Sequence, residues 1–84
     1  MEEKLIGEIT HYFGKINVAI IKLKDALKEG DRIHIKGKGT DFTQTVSSIQ
    51  IEHKNVKSAK KGEMVGIKVD QKVKEEDEVF LITE

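Results

Sequence analysis

Short alternating runs of apolar residues dominate this sequence. Apolar side chains recur at every second position over a few residues, and clusters of glycine, aspartate and lysine separate one run from the next. No stretch keeps the helical spacing of apolar residues for three turns. Because successive side chains of a β-strand point to opposite faces, this pattern predicts half-buried strands. We therefore expect an all-β fold.

The alternation predicts six strands, and the residues between them predict turns. Gly14 and Lys15 suit a tight type II′ hairpin, since glycine adopts positive φ without strain. The polar connection from 54 to 62 has room for one helical turn at 56–59. The predicted strands cover 5–13, 16–24, 32–36, 42–53, 65–69 and 79–82.

Two of the predicted strands change phase part-way along. In the second strand, Ile20 is followed directly by Ile21, which indicates either a bulge or a strand covered on both faces. The fourth strand changes phase near Ser47 and Ser48, where a bend would let one strand serve two sides of a barrel. Bent strands favour closure, which also removes exposed sheet edges. The predicted fold is a small closed six-stranded antiparallel barrel.

The short length and the composition limit the remaining possibilities. Eighty-four residues are enough for one core only, so residues 1–84 are expected to form a single domain. Fifteen basic and fifteen acidic residues cancel, and any attraction to RNA must come from uneven placement of charge. The acidic start and the lack of a long apolar run predict a cytoplasmic protein with no membrane partner. We expect a monomer.

Four segments, taken in order, cover nearly the whole chain: Ile6–Thr10, Leu27–Gly37, Thr45–Ile51 and Ala59–Ile67. Gly30 and Asp31 lie in the second of them. In their order and spacing the segments resemble the β-barrel second domain of translational GTPases such as elongation factor Tu. The fourth segment looks like the Ala-Gly-Asp-x-Val-Gly pattern of that family.

A second resemblance is to the C-terminal barrel of collagenase-like peptidases. Three segments carry it, and it is the closer of the two resemblances. These segments are Thr10–Phe13, Thr40–Val46 and Gln50–Lys54.

The translation-factor resemblance implies a binding role on transfer RNA or the ribosome. The phosphate-binding motif of the GTPases is missing, so the resemblance implies no nucleotide hydrolysis. Gln50 stands where the family has an acidic residue, and Met64 replaces an asparagine that often precedes Val-Gly. Both changes weaken the expectation of an aminoacyl pocket.

Lysine side chains provide the most distinctive candidate site. Residues 54–61 include four lysines and no acid, and phosphate groups are their natural partners. A neighbouring histidine side chain can stack on a base or donate to a phosphate. The alternative is a solvated surface that keeps the protein soluble. The predicted RNA-binding residues are Lys54, Lys57, Lys60, Lys61, His53, Lys36, Lys38 and Lys15.

Other kinds of site receive little support from the sequence. There is no cysteine, and the three histidines lack the paired spacing of a metal site, so no metal or cofactor is expected. Ser47, Ser48 and Asp41 have no nucleophile elbow around them, and we expect no enzymatic activity.

Aromatic side chains are few. We expect Phe13, Phe42 and Phe80 in the core and Tyr12 at the surface.

Two functions remain open at this point. In the first, the chain binds RNA or a ribonucleoprotein through the lysine-rich loops. In the second, it is a protein-interaction accessory that docks on a collagenase-like peptidase or an RNA-modification enzyme. Binding that survives high salt would favour the second, since phosphate contacts are screened by salt.

Overall fold

The computed structural model describes residues 2–83, which contain ten β-strands and no α-helix. All strand pairs are antiparallel, so the predicted all-β class is confirmed. The strands are β1 (Glu2–Phe13), β2 (Val18–Leu23), β3 (Leu27–Lys28), β4 (Arg32–Gly37), β5 (Thr40–Thr45), β6 (Ile49–Ile51), β7 (Lys54–Val56), β8 (Ser58–Ala59), β9 (Met64–Lys68) and β10 (Glu78–Thr83).

The strands form one large sheet and one small one, not a closed six-stranded barrel. The large sheet has eight strands in the order β5-β4-β10-β1-β2-β9-β6-β7, and β3 pairs with β8 apart from it. Within residues 2–83 no ladder joins β5 to β7, so the predicted closure and strand number are both wrong. The small sheet and β7 come from segments that were too polar or too short to predict as strands.

A side chain links the β5 end of the sheet to the end of β9. The amide of Gln44 donates to the Lys68 carbonyl at 2.9 Å, and its oxygen accepts the Asp70 backbone N–H at 2.8 Å. Gln44 is buried, and these two bonds satisfy its amide. The sheet therefore curls toward itself through a side chain instead of a backbone ladder.

Strand β1 contains two bulges that change which of its residues are buried. Its register shifts between Leu5 and Gly7 against β10, and between Ile9 and His11 against β2. Each extra residue turns the following side chains to the other face. Buried positions therefore follow a spacing of three along β1, with Ile6 and Ile9 fully buried and Tyr12 packed against the core.

These bulges overturn two predictions for aromatic residues. Phe13, expected in the core, is 45% exposed, whereas Tyr12, expected at the surface, packs against the core. Phe42 is buried as predicted, and Phe80 is only partly buried. Plain alternation from Leu5 to Phe13 does not hold, because the backbone of β1 inserts two residues into its ladders.

The connections also differ in part from the predictions. A four-residue loop joins β1 to β2, and Asn17, not Gly14, adopts the left-handed conformation there (φ 56°). The predicted type II′ hairpin is therefore wrong. The predicted helical turn at 56–59 is also wrong, because this segment contains the end of β7 and all of β8.

The predicted bend in the fourth strand is present, and it separates β5 from β6. Val46 is buried between them, its N–H donates to the Asp31 carbonyl at 2.8 Å, and its carbonyl accepts from Gly30. Strand β5 then pairs with β4, whereas β6 pairs with β7 and β9. One continuous segment, residues 40–51, thus contributes a strand to each half of the large sheet.

The core is a single cluster of aliphatic side chains from both sheets. Ile33 and Ile35 of β4, predicted to point inward, are fully buried. Val65 and Ile67 of β9 are no more than 1% exposed. No buried side-chain polar atom among the described residues lacks a hydrogen-bond partner.

Across residues 2–83 there is also no helix long and apolar enough to cross a membrane.

Candidate functional site

The large apolar side chains that the structure exposes gather in one groove. Phe13, Ile16 and Met64 are 45%, 60% and 52% exposed, and all three line a groove of about 340 Å³ on the outer face of the large sheet. We call it the outer groove. Its lining residues are Phe13, Ile16, Val18, Ile20, Gln50, Glu52, His53, Met64, Val65 and Gly66.

Strand register explains why these side chains meet. Phe13 pairs with Val18 across β1 and β2, and Ile20 pairs with Gly66 across β2 and β9. Gly66 pairs in turn with Gln50 of β6. Cross-strand partners point to the same face, so these residues form one surface across four strands.

Gly66 keeps the floor of the groove open. A Cβ at this position would lie 3.4 Å from Val18 Cγ1 and 3.6 Å from Ile20 Cδ1, which is ordinary contact distance. The missing side chain leaves the aliphatic carbons of Val18 and Ile20 accessible. The groove therefore has an apolar floor that a single methyl group would partly fill.

Two turns form opposite walls of the groove. The β1–β2 loop presents Ile16, whose N–H donates to the Phe13 carbonyl at 3.2 Å. The β6–β7 turn presents Glu52 and His53, whose φ angles are 50° and 67°. Positive φ at both central residues of a two-residue hairpin is the type I′ geometry, which suits the twist of the strands. Both walls are therefore built on hydrogen-bonded hairpins.

The structure distributes the predicted RNA-binding residues over several places. His53 lines the outer groove, Lys54 follows it at the start of β7, and Lys15 lies in the loop between Phe13 and Ile16. Lys60 lines a different groove, beside the small sheet, together with Lys4 and Asp25. Lys57 and Lys61 are exposed on the segments on either side of β8.

Lys36 and Lys38 lie among acidic residues. In the strand register Lys36 is opposite Asp41 on one side and Glu78 on the other. It lines a depression with Glu75, Glu76 and Glu78, and Lys38 lines a neighbouring one with Glu75, Glu76 and Asp77. Neither depression includes His53, which lines the outer groove.

A histidine between two carboxylates forms a second polar feature, which we call the histidine cluster: Glu3, His34 and Asp41. His34 Nδ1 lies 2.8 Å from Glu3 Oε2, and its Nε2 is hydrogen-bonded to Asp41. The bond to Asp41 and then the bond to Glu3 raise the pKa of His34 above its ordinary value, and His34 lowers the pKa of Asp41. Both ring nitrogens are occupied, so the cluster joins β1, β4 and β5.

The groove beside the small sheet is larger, at about 560 Å³, but its rim is internally paired. Lys4 forms a salt bridge with Asp25, which lowers the pKa of that carboxyl. Asp31 accepts the Lys28 backbone N–H at 3.0 Å. Both of its carboxylates, those of Asp25 and Asp31, thus already have partners within the protein.

Sequence reasoning missed the apolar members of the outer groove. Ile16 was placed only in the second predicted strand, Met64 was noted only for replacing an asparagine, and Phe13 was assigned to the core. The useful signal was the phase change in β2: Ala19 and Ile21 point inward and are fully buried, whereas Ile20 points outward and lines the groove. A strand with apolar residues on both faces indicates a second covered surface.

Comparisons with known proteins agree with one of the two predicted resemblances. The chain is 46% identical over 80 residues to a protein described as an uncharacterized protease of Methanocaldococcus jannaschii. The match covers 94% of this chain and 20% of that protein, so the chain spans a fifth of the relative's length. No protein-family model matches the chain.

Solved structures show the same fold. The C-terminal domain of a protein described as a U32 peptidase from Geobacillus thermoleovorans superposes with a TM-score of 0.89 at 18% identity, covering 95% of this chain and 93% of that one. Its selenomethionine variant gives 0.86 at 19% identity, covering 90% and 96%. The resemblance to the C-terminal barrel of collagenase-like peptidases is confirmed. The resemblance to translation factors stays a prediction.

Proposed function

We propose that this chain is an accessory module that docks on the catalytic body of a collagenase-like peptidase and acts by binding, without catalysis of its own. The match over 80 residues to one fifth of a protease carries this proposal. A fold shared with a separately crystallised C-terminal domain of such a protein supports it. In this proposal the chain is the counterpart of a unit that makes up one fifth of the longer relative.

The surface of the protein supports binding over catalysis. The outer groove is lined mainly by aliphatic carbon, one phenylalanine and backbone, and its polar side chains are Gln50, Glu52 and His53. The histidine cluster has both of its ring nitrogens bonded to carboxylates, so neither nitrogen is free to activate a nucleophile. Exposed apolar residues gathered in one place are typical of protein interfaces.

RNA binding is the weaker proposal. It needs a contiguous basic face, and the predicted lysines lie in separate places, some of them beside acids. A gel shift with transfer RNA at low salt tests it. Charge reversal of Lys54, Lys57, Lys60 and Lys61 should abolish any shift if these residues make the phosphate contacts.

The docking proposal is tested with the protease of Methanocaldococcus jannaschii from which the 80 matching residues have been deleted. Titration calorimetry should show a one-to-one complex with this chain, and binding should persist in high salt because apolar contacts are not screened. The intact protease is the matched control, and its own module should block the docking place. A truncated protease that does not bind would refute the proposal.

A further inference from the structure

We propose that the outer groove binds an extended acidic peptide segment of the partner protein, with one or two large apolar side chains inserted between Phe13, Ile16 and Met64. The inference rests on the proposed function, because it takes the occupant to be part of a protein partner. It goes further by assigning the contact face and the chemistry of the segment.

The apolar part of the groove defines the anchor. Val18, Ile20 and the backbone of Gly66 form the floor, and three exposed side chains rise around it. A volume of about 340 Å³ is at the small end of the range for ligand pockets, which begins at about 300 Å³. It suits one or two side chains such as leucine or phenylalanine, and it is too small for a folded domain.

The charges around the groove define the flanks of the segment. Lys22 is the register partner of Met64, Lys68 is the partner of Val18, and Lys15 lies in the loop that presents Ile16. All three are exposed, and none forms a salt bridge with another residue in the range 2–83.

Acidic residues at the groove only partly cancel these lysines. Glu52 is the one acid that lines the groove. Glu8 faces Lys22 across the β1–β2 ladder without forming a salt bridge. The three lysines thus leave an excess of positive charge at the edge of the groove, which complements an apolar anchor between Asp or Glu residues.

Two other occupants fit less well. A second copy of the chain would bring the same three lysines against each other across a two-fold axis, and like charges repel. Single-stranded RNA would match the lysines, but bases stack on aromatic platforms, and Phe13 is the single benzene ring in the groove. Aliphatic carbon makes up most of the surface, which favours a peptide.

The experiment titrates the full chain with the synthetic peptide acetyl-Glu-Glu-Leu-Phe-Leu-Glu-Glu-amide and follows its methyl groups by NMR. We expect shifts at Ile16, Ile20 and Met64, and none at Leu81 beside the small sheet. Three control probes separate the contributions. One peptide has Ser-Thr-Ser in place of the apolar residues, one has Lys in place of every Glu, and the third probe is oligouridylate.

Two variants test the groove itself. Met64→Glu should weaken binding about tenfold, since it places a carboxylate beside the acidic peptide and removes an apolar wall. Gly66→Ala should weaken it severalfold by filling the floor, with no new charge. Gln71→Glu adds the same charge at an exposed position that does not line the groove and should bind like the unmodified chain. Thermal unfolding of each variant checks that the fold is retained.

The outcomes separate this inference from the proposed function. If the truncated protease binds but Met64→Glu and Gly66→Ala bind it equally well, the groove assignment is wrong and the accessory role stands. If the acidic peptide binds in the groove but the truncated protease does not, the accessory role fails and the groove assignment stands. If oligouridylate shifts the groove methyls and the acidic peptide does not, the occupant is RNA and the inference is overturned.

Discussion

The strand pair β2 and β9 has two apolar faces, one buried in the core and one exposed to solvent. On the inner face, Ala19, Ile21 and Ile67 are fully buried and belong to the core. On the outer face, Ile20 and Met64 line a groove that is open to solvent. The same backbone thus carries one apolar surface that already has its packing partners and another that does not. Only the second is free to contribute its apolar area to binding.

The largest expected contrast comes from truncating one side chain on each face. Ile67→Ala should lower the free energy of unfolding by about 2–4 kcal/mol, because it leaves a cavity in the core. Met64→Ala should change it by less than about 0.5 kcal/mol, because the side chain is half exposed. Urea denaturation measures both. Similar losses for the two variants would mean that the outer groove is part of the core.

Two glycines sharpen the contrast, since each lies against β2 from a different side. A Cβ on Gly7 would lie 2.7 Å from Ile21 Cγ2 and 2.8 Å from the Lys22 carbonyl oxygen. Gly7→Ala should therefore cost about 1–3 kcal/mol through overpacking.

Gly66→Ala meets nothing closer than 3.4 Å and should leave the free energy of unfolding within about 0.5 kcal/mol of the starting value. Thermal unfolding of the two alanine variants is the matched measurement. A strongly destabilised Gly66→Ala would show that the floor of the groove is tightly packed.

The histidine cluster lies at the surface, yet its polar groups already have partners. The His34→Ala substitution removes the imidazole. It should lower the free energy of unfolding by about 1 kcal/mol, since the hydrogen bonds of His34 to Glu3 and to Asp41 are lost. The variant should still bind the acidic peptide as well as the unmodified chain does. Weaker peptide binding would mean that the cluster and the outer groove are coupled.

The smallest expected effect is a pH dependence of the same cluster. The pKa of His34 is raised. Its contribution to the free energy of unfolding is therefore complete below the ordinary pKa of 6.5 and is lost as pH rises through the raised pKa. The pKa of Asp41 is lowered. Its contribution to the free energy of unfolding is therefore complete above the ordinary pKa of 3.8 and is lost as pH falls through the lowered pKa. The stability difference between the unmodified chain and His34→Ala should therefore be greatest between these two values. Denaturation across this pH range measures it, and a difference that grows above neutral pH would contradict the assignment.

The sequence predicted the strands wherever alternation is regular. Ile33, Ile35, Val65 and Ile67 lie on the predicted faces because β4 and β9 have no register shift in their ladders. Alternation failed in β1, where each bulge is fixed by the ladder to a neighbouring strand. A single strand contains no information about its ladders, so Phe13 could not be assigned to the surface.

The candidate site was predictable only in its chemistry. The lysines are evident in the sequence, but their distribution depends on strand order, which puts four strands between β4, with its lysine, and β6. The outer groove depends on the pairings of Ile20 with Gly66 and of Gly66 with Gln50. These residues are far apart along the chain, and only the folded sheet brings them together.

The bulge at Thr10 adds one residue to β1 without changing the surface that follows it. Ile9 pairs with Ile21 and His11 pairs with Ile20, so Thr10 has no partner of its own in this ladder. Deleting Thr10 would leave Phe13 opposite Val18, and the aromatic wall of the groove would be retained. Among related chains, a single-codon deletion at this position should therefore be tolerated without a change of binding face.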